Sequence, residues 1–127
     1  MLINLTNHPY RLWSNAQRYA AESLWGEITD YPFPAVDPES DETSILKLAA
    51  KTTDAIALAK PQAVLCQGEL TLTAALISQL QRQGIPCYAA CCARNAQEKQ
   101  SGNGETVKTS VFRFVRFRRY PDLPAFH

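Results

Sequence analysis

The chain has 127 residues, of which 46% are apolar and 20% are charged, the ordinary composition of one globular domain with a core of its own. A net charge of +1 argues against a partner such as long nucleic acid, which usually calls for a more basic domain. No apolar run approaches the roughly 18–20 residues of a membrane helix, and the start of the chain lacks the basic region of a signal peptide. We therefore expect a cytoplasmic protein without a membrane segment.

The distribution of charge and cysteine narrows the classes of ligand. Residues 1–60 carry 5 basic and 8 acidic groups, whereas residues 61–127 carry 8 basic and 4 acidic groups. A basic C-terminal half suits an anionic ligand. The spacing of the cysteines is not that of a zinc site or a disulfide framework. We interpret the four as reduced thiols and expect neither a metal nor a cofactor; they are Cys66, Cys87, Cys91 and Cys92.

The first half of the chain alternates strand and helix patterns. In order, the predicted elements are a strand over 1–5, a helix over 16–24, a strand over 27–31 and a helix between Asp41 and Lys60. Ser14-x-x-Gln17 is a capping box that starts the first helix, and Gly26 ends it. Three prolines within residues 31–38 predict an ordered, extended loop.

The second half continues the alternation and then changes. Its predicted elements are a strand over 63–66, a helix over 71–82, a strand over 85–92 and a strand over 111–118. The strand over 85–92 is nearly all apolar, so we expect both of its faces to be buried. Residues 96–106 contain Gly102-Asn103-Gly104 and predict a hairpin turn or a mobile loop. The last strand alternates imperfectly and indicates an edge or intersubunit strand.

This order of elements predicts an α/β fold. Strands that alternate with helices imply right-handed crossovers and a mostly parallel sheet covered on both faces. We expect a Rossmann-like three-layer sandwich with strand order 2-1-3-4-5 and an antiparallel last strand. The domain should span residues 1–120, followed by a tail over residues 121–127.

Polar residues follow three of the predicted strands. They are Thr6, Asn7 and His8 after the first, Gln67, Gly68, Glu69 and Thr71 after the third, and Arg94 and Asn95 after the fourth. Because the carboxyl ends of parallel strands share one edge, where ligands bind in open sheets, we predict a binding site there. The helix that starts after Gln67-Gly68 would favour an anion at its N-terminus.

Each of these residues has a structural alternative. His8 could act as an acid or a phosphate ligand, or it could only shape the loop before Pro9. Arg94 could bind phosphate or lie on the surface. Thr71 could bond phosphate or cap its helix, and Glu69 could complement the helix dipole or bind a ribose hydroxyl.

Four segments together resemble a known group of proteins. They are Asn7-His8-Pro9, Cys66-Gln67-Gly68-Glu69-Leu70-Thr71, Cys92-Ala93-Arg94-Asn95 and Lys108-Thr109-Ser110-Val111-Phe112-Arg113-Phe114-Val115-Arg116-Phe117-Arg118-Arg119-Tyr120. This set is similar to the small, stand-alone CRISPR-associated proteins of type III systems, which have a CARF-like Rossmannoid domain. The resemblance covers most of residues 1–120, and the last segment is its most specific part.

The resemblance implies a homodimeric ring nuclease of antiviral defence. Such a protein binds cyclic oligoadenylate, here with cyclic tetra-adenylate as the expected ring, and opens it without metal by attack of a ribose 2′-hydroxyl. His8 would assist the leaving group, Arg94 would hold phosphate, and Gln67, Gly68 and Thr71 would position ribose and phosphate. Where the family pattern has polar groups before the arginine, this chain has cysteines and Ala93. Two alternatives therefore stay open: a module that binds the ring without cutting it, and an α/β protein-interaction domain.

Overall fold

The computed structural model describes residues 1–100 and 106–124, with the backbone alone for residues 95–100 and 106–111. In these residues the elements are β1 (Leu2–Thr6), a 3₁₀ turn (Tyr10–Leu12), α1 (Asn15–Trp25), β2 (Ile28–Asp30), α2 (Glu42–Leu58), β3 (Ala63–Gln67), α3 (Leu70–Arg82), β4 (Cys87–Gln100) and β5 (Thr106–Arg119).

The sheet has the predicted topology. Its strand order is β2-β1-β3-β4-β5. The pairs β1–β2, β1–β3 and β3–β4 are parallel, and β5 is antiparallel to β4. The protein is therefore an α/β sandwich of Rossmann-like form with an antiparallel C-terminal edge strand. Each parallel neighbour is reached through a helix, as the crossover rule requires.

The helices cover the two faces of the sheet unequally. On one face, α2 and α3 pack against alternate strand residues such as Ile3, Leu5 and Val64. On the other face, α1 packs against the intervening residues, among them Leu2 and Leu65. Because a single helix covers this second face, the outer part of the sheet there is left open for a cavity. Among the described residues, none of the helices combines the length and the apolar character needed to cross a membrane.

Predicted caps set where the helices begin. The Ser14 side chain accepts a hydrogen bond from the Gln17 N–H, as the capping box predicts, and Gly26 ends α1 with a φ of 75° that glycine adopts without strain. Asp41 caps α2 by accepting from the Ser44 N–H. Hydrogen bonds from the backbone and the side chain of Ser44 hold the pKa of Asp41 below its ordinary value.

The fourth strand differs from the prediction in length and burial. It runs on to Gln100 and pairs with β5 up to Thr106, so most of the predicted loop over 96–106 is strand, and Gly102-Asn103-Gly104 lies outside the described residues. Among the side chains of β4 that the structure describes, residues 87–94, Cys87 alone is buried, and Cys92 is exposed. The prediction of a strand buried on both faces is wrong, because β4 leaves the helix-covered sheet and continues beside β5 alone.

The imperfect alternation of the last strand has a physical cause. Cys91 pairs with Arg116, but Cys92 pairs with Phe114, so Val115 is an extra residue of the kind that forms a β-bulge. An extra residue shifts the side-chain parity by one. Phe114 and Phe117 therefore lie on the same face, and their ring centroids are 4.9 Å apart.

The chain after β5 lies against α3. The Tyr120 hydroxyl donates to the Cys66 carbonyl at 2.9 Å. The Gln81 amide donates to the Pro121 carbonyl at 3.0 Å and accepts from the Leu123 N–H at 2.8 Å. Burial raises the pKa of Tyr120. The predicted boundary between a domain over 1–120 and a tail stays a prediction.

Candidate functional site

A cavity of about 540 Å³ opens at the carboxyl ends of β1 and β3, beside Ala90 and Cys92 in the first half of β4. It lies on the face that α1 covers, and it includes the gap between β1 and β3. The crossovers that leave β1 and β3 run to opposite faces of the sheet, which makes this gap the switch point where open α/β sheets bind ligands. Four of the predicted site residues line the cavity: Thr6, Asn7, His8 and Gln67.

Hydrogen bonds fix the backbone of His8 and leave its side chain exposed at the cavity. The His8 carbonyl accepts from the Trp13 indole N–H and from the Asn4 amide, each at 2.9 Å. The His8 N–H donates to the Thr6 hydroxyl at 3.1 Å. An imidazole can give, accept or hold a proton near neutral pH. The imidazole of His8 projects from a loop in which both the N–H and the carbonyl of His8 are hydrogen-bonded.

Gln67 holds two strands together where their ladder stops. Backbone pairing between β3 and β4 ends at Leu65 and Tyr88. Beyond it, the Gln67 side chain accepts from the Ala90 N–H at 2.9 Å and donates to the Ala90 carbonyl at 3.5 Å. The Gln67 amide thus takes the place of a backbone hydrogen-bonding partner for Ala90. The separation of β3 and β4 forms the floor of the cavity.

The first turn of α1 also borders the cavity, through Ser14 and Gln17. The helix has a neutral cap and no acidic residue in its first turn, so its positive dipole end is not neutralised by the chain itself. The capping box at Ser14 is as predicted, but the predicted anion site was the N-terminus of a different helix, α3. The signal that could have found it was the position of Ser14, shortly after the first strand.

Aromatic side chains form the opposite wall. Phe112 and Phe114 of β5 line the cavity together with Trp13 and the exposed Cys92. The guanidinium of Arg94 lies over the Phe112 ring, 5.9 Å from its centroid, within the range of a cation–π contact. Arg94 therefore stands beside the cavity and does not line it. Phe112 and Phe114 share a face of β5 because they are two residues apart, and the bulge at Val115 places Phe117 on that face as well.

Glu69, another of the predicted residues, caps α3 and does not line this cavity. The Glu69 carboxylate accepts from the Thr71 N–H at 3.0 Å, from the Leu72 N–H at 2.8 Å and from the Thr71 hydroxyl at 2.7 Å. The Thr71 hydroxyl and these two N–H groups hold the pKa of Glu69 below its ordinary value. An external anion at this N-terminus would have to displace the carboxylate of the chain itself.

Thr71 and Gly68 do not line the cavity that contains His8. Thr71 lines a separate cavity of about 290 Å³ beside the start of α2. A Cβ at Gly68 would lie 2.6 Å from carbons of the Phe33 ring, so this glycine makes room for a buried aromatic side chain. The side chain of Asn95 lies outside the described residues.

The thiols differ in their exposure and chemistry. Burial raises the pKa of Cys66 and raises that of Cys87 to about 12, so both stay protonated and unreactive. Cys92 is exposed at the cavity. In the part of the chain that the structure describes, no group of three or more His, Cys, Asp or Glu side chains is arranged to hold a metal ion.

A family model, that of the uncharacterized protein MJ1673 family, matches residues 1–118. The chain belongs to this family. The match includes both strands of the cavity floor and the aromatic residues of β5, so the candidate site lies inside the matched residues. No curated protein and no solved structure matches the chain.

Proposed function

We propose that the protein is a homodimer that binds cyclic oligoadenylate in the cavity at the strand ends and cleaves it, switching off type III CRISPR signalling in the cytoplasm. Cyclic tetra-adenylate is the first ring to test. The observation that supports the proposal is the cavity itself. It combines His8, polar side chains, an aromatic wall and a helix N-terminus without an acidic neighbour.

The parts of the cavity match the parts of a nucleotide ring. A base can stack on the exposed ring of Phe112, since every base has a π-face. Phosphate suits the start of α1 and the guanidinium of Arg94, because both present N–H donors with positive charge. Amide groups such as those of Asn7 and Gln67 can bond ribose hydroxyls.

The proposed reaction needs positioning more than added reagents. The 2′-oxygen of one ribose attacks the adjacent phosphorus while the bond from phosphorus to the 5′-oxygen breaks. The products are a 2′,3′-cyclic phosphate and a 5′-hydroxyl, and no water is consumed. The proton of the 2′-hydroxyl leaves to solvent, and the imidazolium of His8 gives a proton to the departing 5′-oxygen. In-line orientation of the ribose supplies the rest of the acceleration.

The shape of the site supports the proposed dimer. The cavity is open to solvent, and its apolar border residues Leu12 and Phe112 are 53% and 67% exposed. A second copy would cover them, and a ring with rotational symmetry suits two symmetry-related cavities that face each other. Light scattering tests this directly. A monomer at micromolar concentration, with and without the ring, would contradict a dimeric site.

Chromatography of the ring after incubation tests the activity. The protein is incubated with cyclic tri-, tetra- and hexa-adenylate in the presence of EDTA, and linear products are expected from at least one ring. Under single-turnover conditions, His8→Ala should slow cleavage by about 10²–10⁴-fold with a smaller change in affinity. A variant that cuts at the wild-type rate would exclude His8 from the reaction. A parallel thermal melt separates loss of chemistry from loss of fold.

One observation favours a second candidate, binding without cleavage. Among the described residues that line the cavity, His8 has the one imidazole and no side chain has a carboxylate. A protein of this kind would sequester the messenger. It would raise its own melting temperature with the ring and leave the ring intact on the chromatogram. If none of the three rings raises the melting temperature, both candidates fail and a protein-interaction domain is left.

A further inference from the structure

A buried amide lies beneath the loop that carries His8. Asn4 in β1 is 1% exposed, and a polar group buried this deeply costs free energy unless its hydrogen bonds are made. Its Nδ2 donates to the His8 carbonyl at 2.9 Å and to Asp30 Oδ1 at 2.8 Å. Its Oδ1 accepts from the Thr6 hydroxyl at 2.8 Å. The side chain therefore joins β1, the end of β2 and the loop.

These partners leave the amide one orientation. If the group were flipped, the Asn4 oxygen would face the His8 carbonyl and the Asp30 carboxylate, which are both acceptors. That arrangement replaces two hydrogen bonds by two repulsive contacts, so the nitrogen must point to the loop. The Asp30 carboxylate thus determines which atom of Asn4 the His8 carbonyl meets.

Asp30 also holds the loop at a second point. Its Oδ1 accepts from the Tyr10 N–H at 3.1 Å, so one carboxylate oxygen binds the loop directly at Tyr10 and indirectly, through Asn4, at His8. These two residues flank Pro9, whose ring already restricts the backbone between them. Hydrogen bonds to a charged acceptor are among the stronger ones.

We infer that Asp30, acting through Asn4, is a positioning residue that fixes the loop on which His8 stands. Neither side chain lines the large cavity; both line a smaller one, of about 220 Å³, that lies behind the loop. Their effect on any reaction would therefore reach the ligand only through the placement of His8. The catalytic part of this inference rests on the proposed function, whereas the structural part does not.

Amide hydrogen exchange tests the structural part without any ligand. The chain has two histidines, so a protein labelled with 15N-histidine gives two backbone amide signals, and His8→Ala identifies the one from His8. Asp30→Ala removes the acceptor for Asn4 and for the Tyr10 N–H. It should speed exchange at the His8 amide by about tenfold or more, since local opening governs exchange. Asp30→Asn keeps an oxygen at the same place and should leave the rate within about twofold.

The control is Asp54→Ala, which removes an exposed carboxylate on α2 and should leave exchange at the His8 amide unchanged. If Asp30→Ala exchanges as slowly as the wild type, the inference is overturned. If Asp30→Ala does not fold, Asp30→Ser takes its place, because a hydroxyl is too short to accept from both donors. An Asp30→Asn protein that exchanges as fast as Asp30→Ala would also overturn the role of the shared oxygen.

Cleavage tests the catalytic part. With cyclic tetra-adenylate, Asp30→Ala should lower the single-turnover rate by about tenfold or more and change the dissociation constant much less, and Asp30→Asn should restore the rate. Equal rates for Asp30→Ala and Asp54→Ala would overturn the catalytic part. If the wild type neither binds nor cuts any ring, the proposed function fails, and the exchange measurement still decides whether Asp30 positions the loop.

Discussion

Replacing Gly68 by alanine should destabilise the protein through a steric clash with one side chain, that of Phe33. The new Cβ would lie 2.6 Å from carbons of the Phe33 ring, well inside van der Waals contact. Phe33 is 7% exposed and packs within the core cluster of α2 and α3, so its ring cannot move aside into solvent. Over-packing of this kind costs about 1–3 kcal/mol. For a domain of this length, that is a fall of about 4–12 °C in Tm.

A double-mutant cycle isolates the contact. Phe33→Leu shortens the ring and should itself cost about 1–2 kcal/mol, but it frees the space above Gly68. In that background Gly68→Ala should cost less than about 0.5 kcal/mol, which leaves a coupling energy of about 1–2 kcal/mol between the two positions. Urea unfolding followed by circular dichroism measures each free energy of unfolding, and the m-value should not change.

Gly84→Ala is the matched control. Gly84 has a φ of +76° and no atom within 4 Å of an added Cβ, so alanine there is strained by its backbone alone, at a cost of about 1 kcal/mol. Phe33→Leu should not relieve that cost. If Gly68→Ala costs the same with Phe33 and with leucine, the close approach of the ring is not the reason for glycine at this position.

Three shorter predictions concern the site. Arg94→Ala should weaken ring binding by about 1.5–3 kcal/mol, measured by titration calorimetry. Arg119→Ala should weaken it much less, since Arg119 pairs with Tyr88 near the start of β4. Equal losses of binding free energy would contradict a defined site. Glu69→Gln should lower Tm at neutral pH. Because the folded pKa of Glu69 is lowered, the difference should be complete above the ordinary pKa of glutamate and shrink as the pH of the melts falls through the lower, folded pKa. Bound ring should slow alkylation of Cys92 by iodoacetamide, monitored by mass spectrometry in a Cys91→Ser background; unchanged alkylation at saturating ring would place the ligand elsewhere.

The topology of the sheet could be predicted because it depends on local patterns. Short apolar runs, a capping box at Ser14 and glycines after two helices fix an alternation of strands and helices, and crossover handedness limits how they assemble. The burial of β4 could not be predicted, because apolar composition does not reveal whether a helix covers a strand. That depends on α1, whose Trp25 ring packs against Tyr88 at the start of β4 and Phe117 of β5, whereas Cys92 and Arg94 farther along β4 are exposed.

The site could be predicted in part for the same reason. Residues at or just beyond the carboxyl ends of β1 and β3, such as His8 and Gln67, reach the cavity because parallel strands align these ends. Strict alternation places Phe112 and Phe114 of the aromatic wall on one face, but it puts Phe117 on the other face, because it ignores the bulge at Val115, which changes parity between Phe114 and Phe117. The spacing of the phenylalanines, two residues and then three, is the signal that indicates such a bulge in a sequence.

The residue type at the N-cap predicts which helix N-terminus can bind an external anion. A helix start attracts an anion only if its first N–H groups are not already bonded to a carboxylate of the chain. Asp41 and Glu69 cap α2 and α3 with carboxylates, whereas Ser14 caps α1 with a hydroxyl. The residue type at the cap is visible in the sequence. It assigns the free N-terminus to α1, at the cavity where His8 lies, and makes the start of α3 a position at which the protein supplies its own anion.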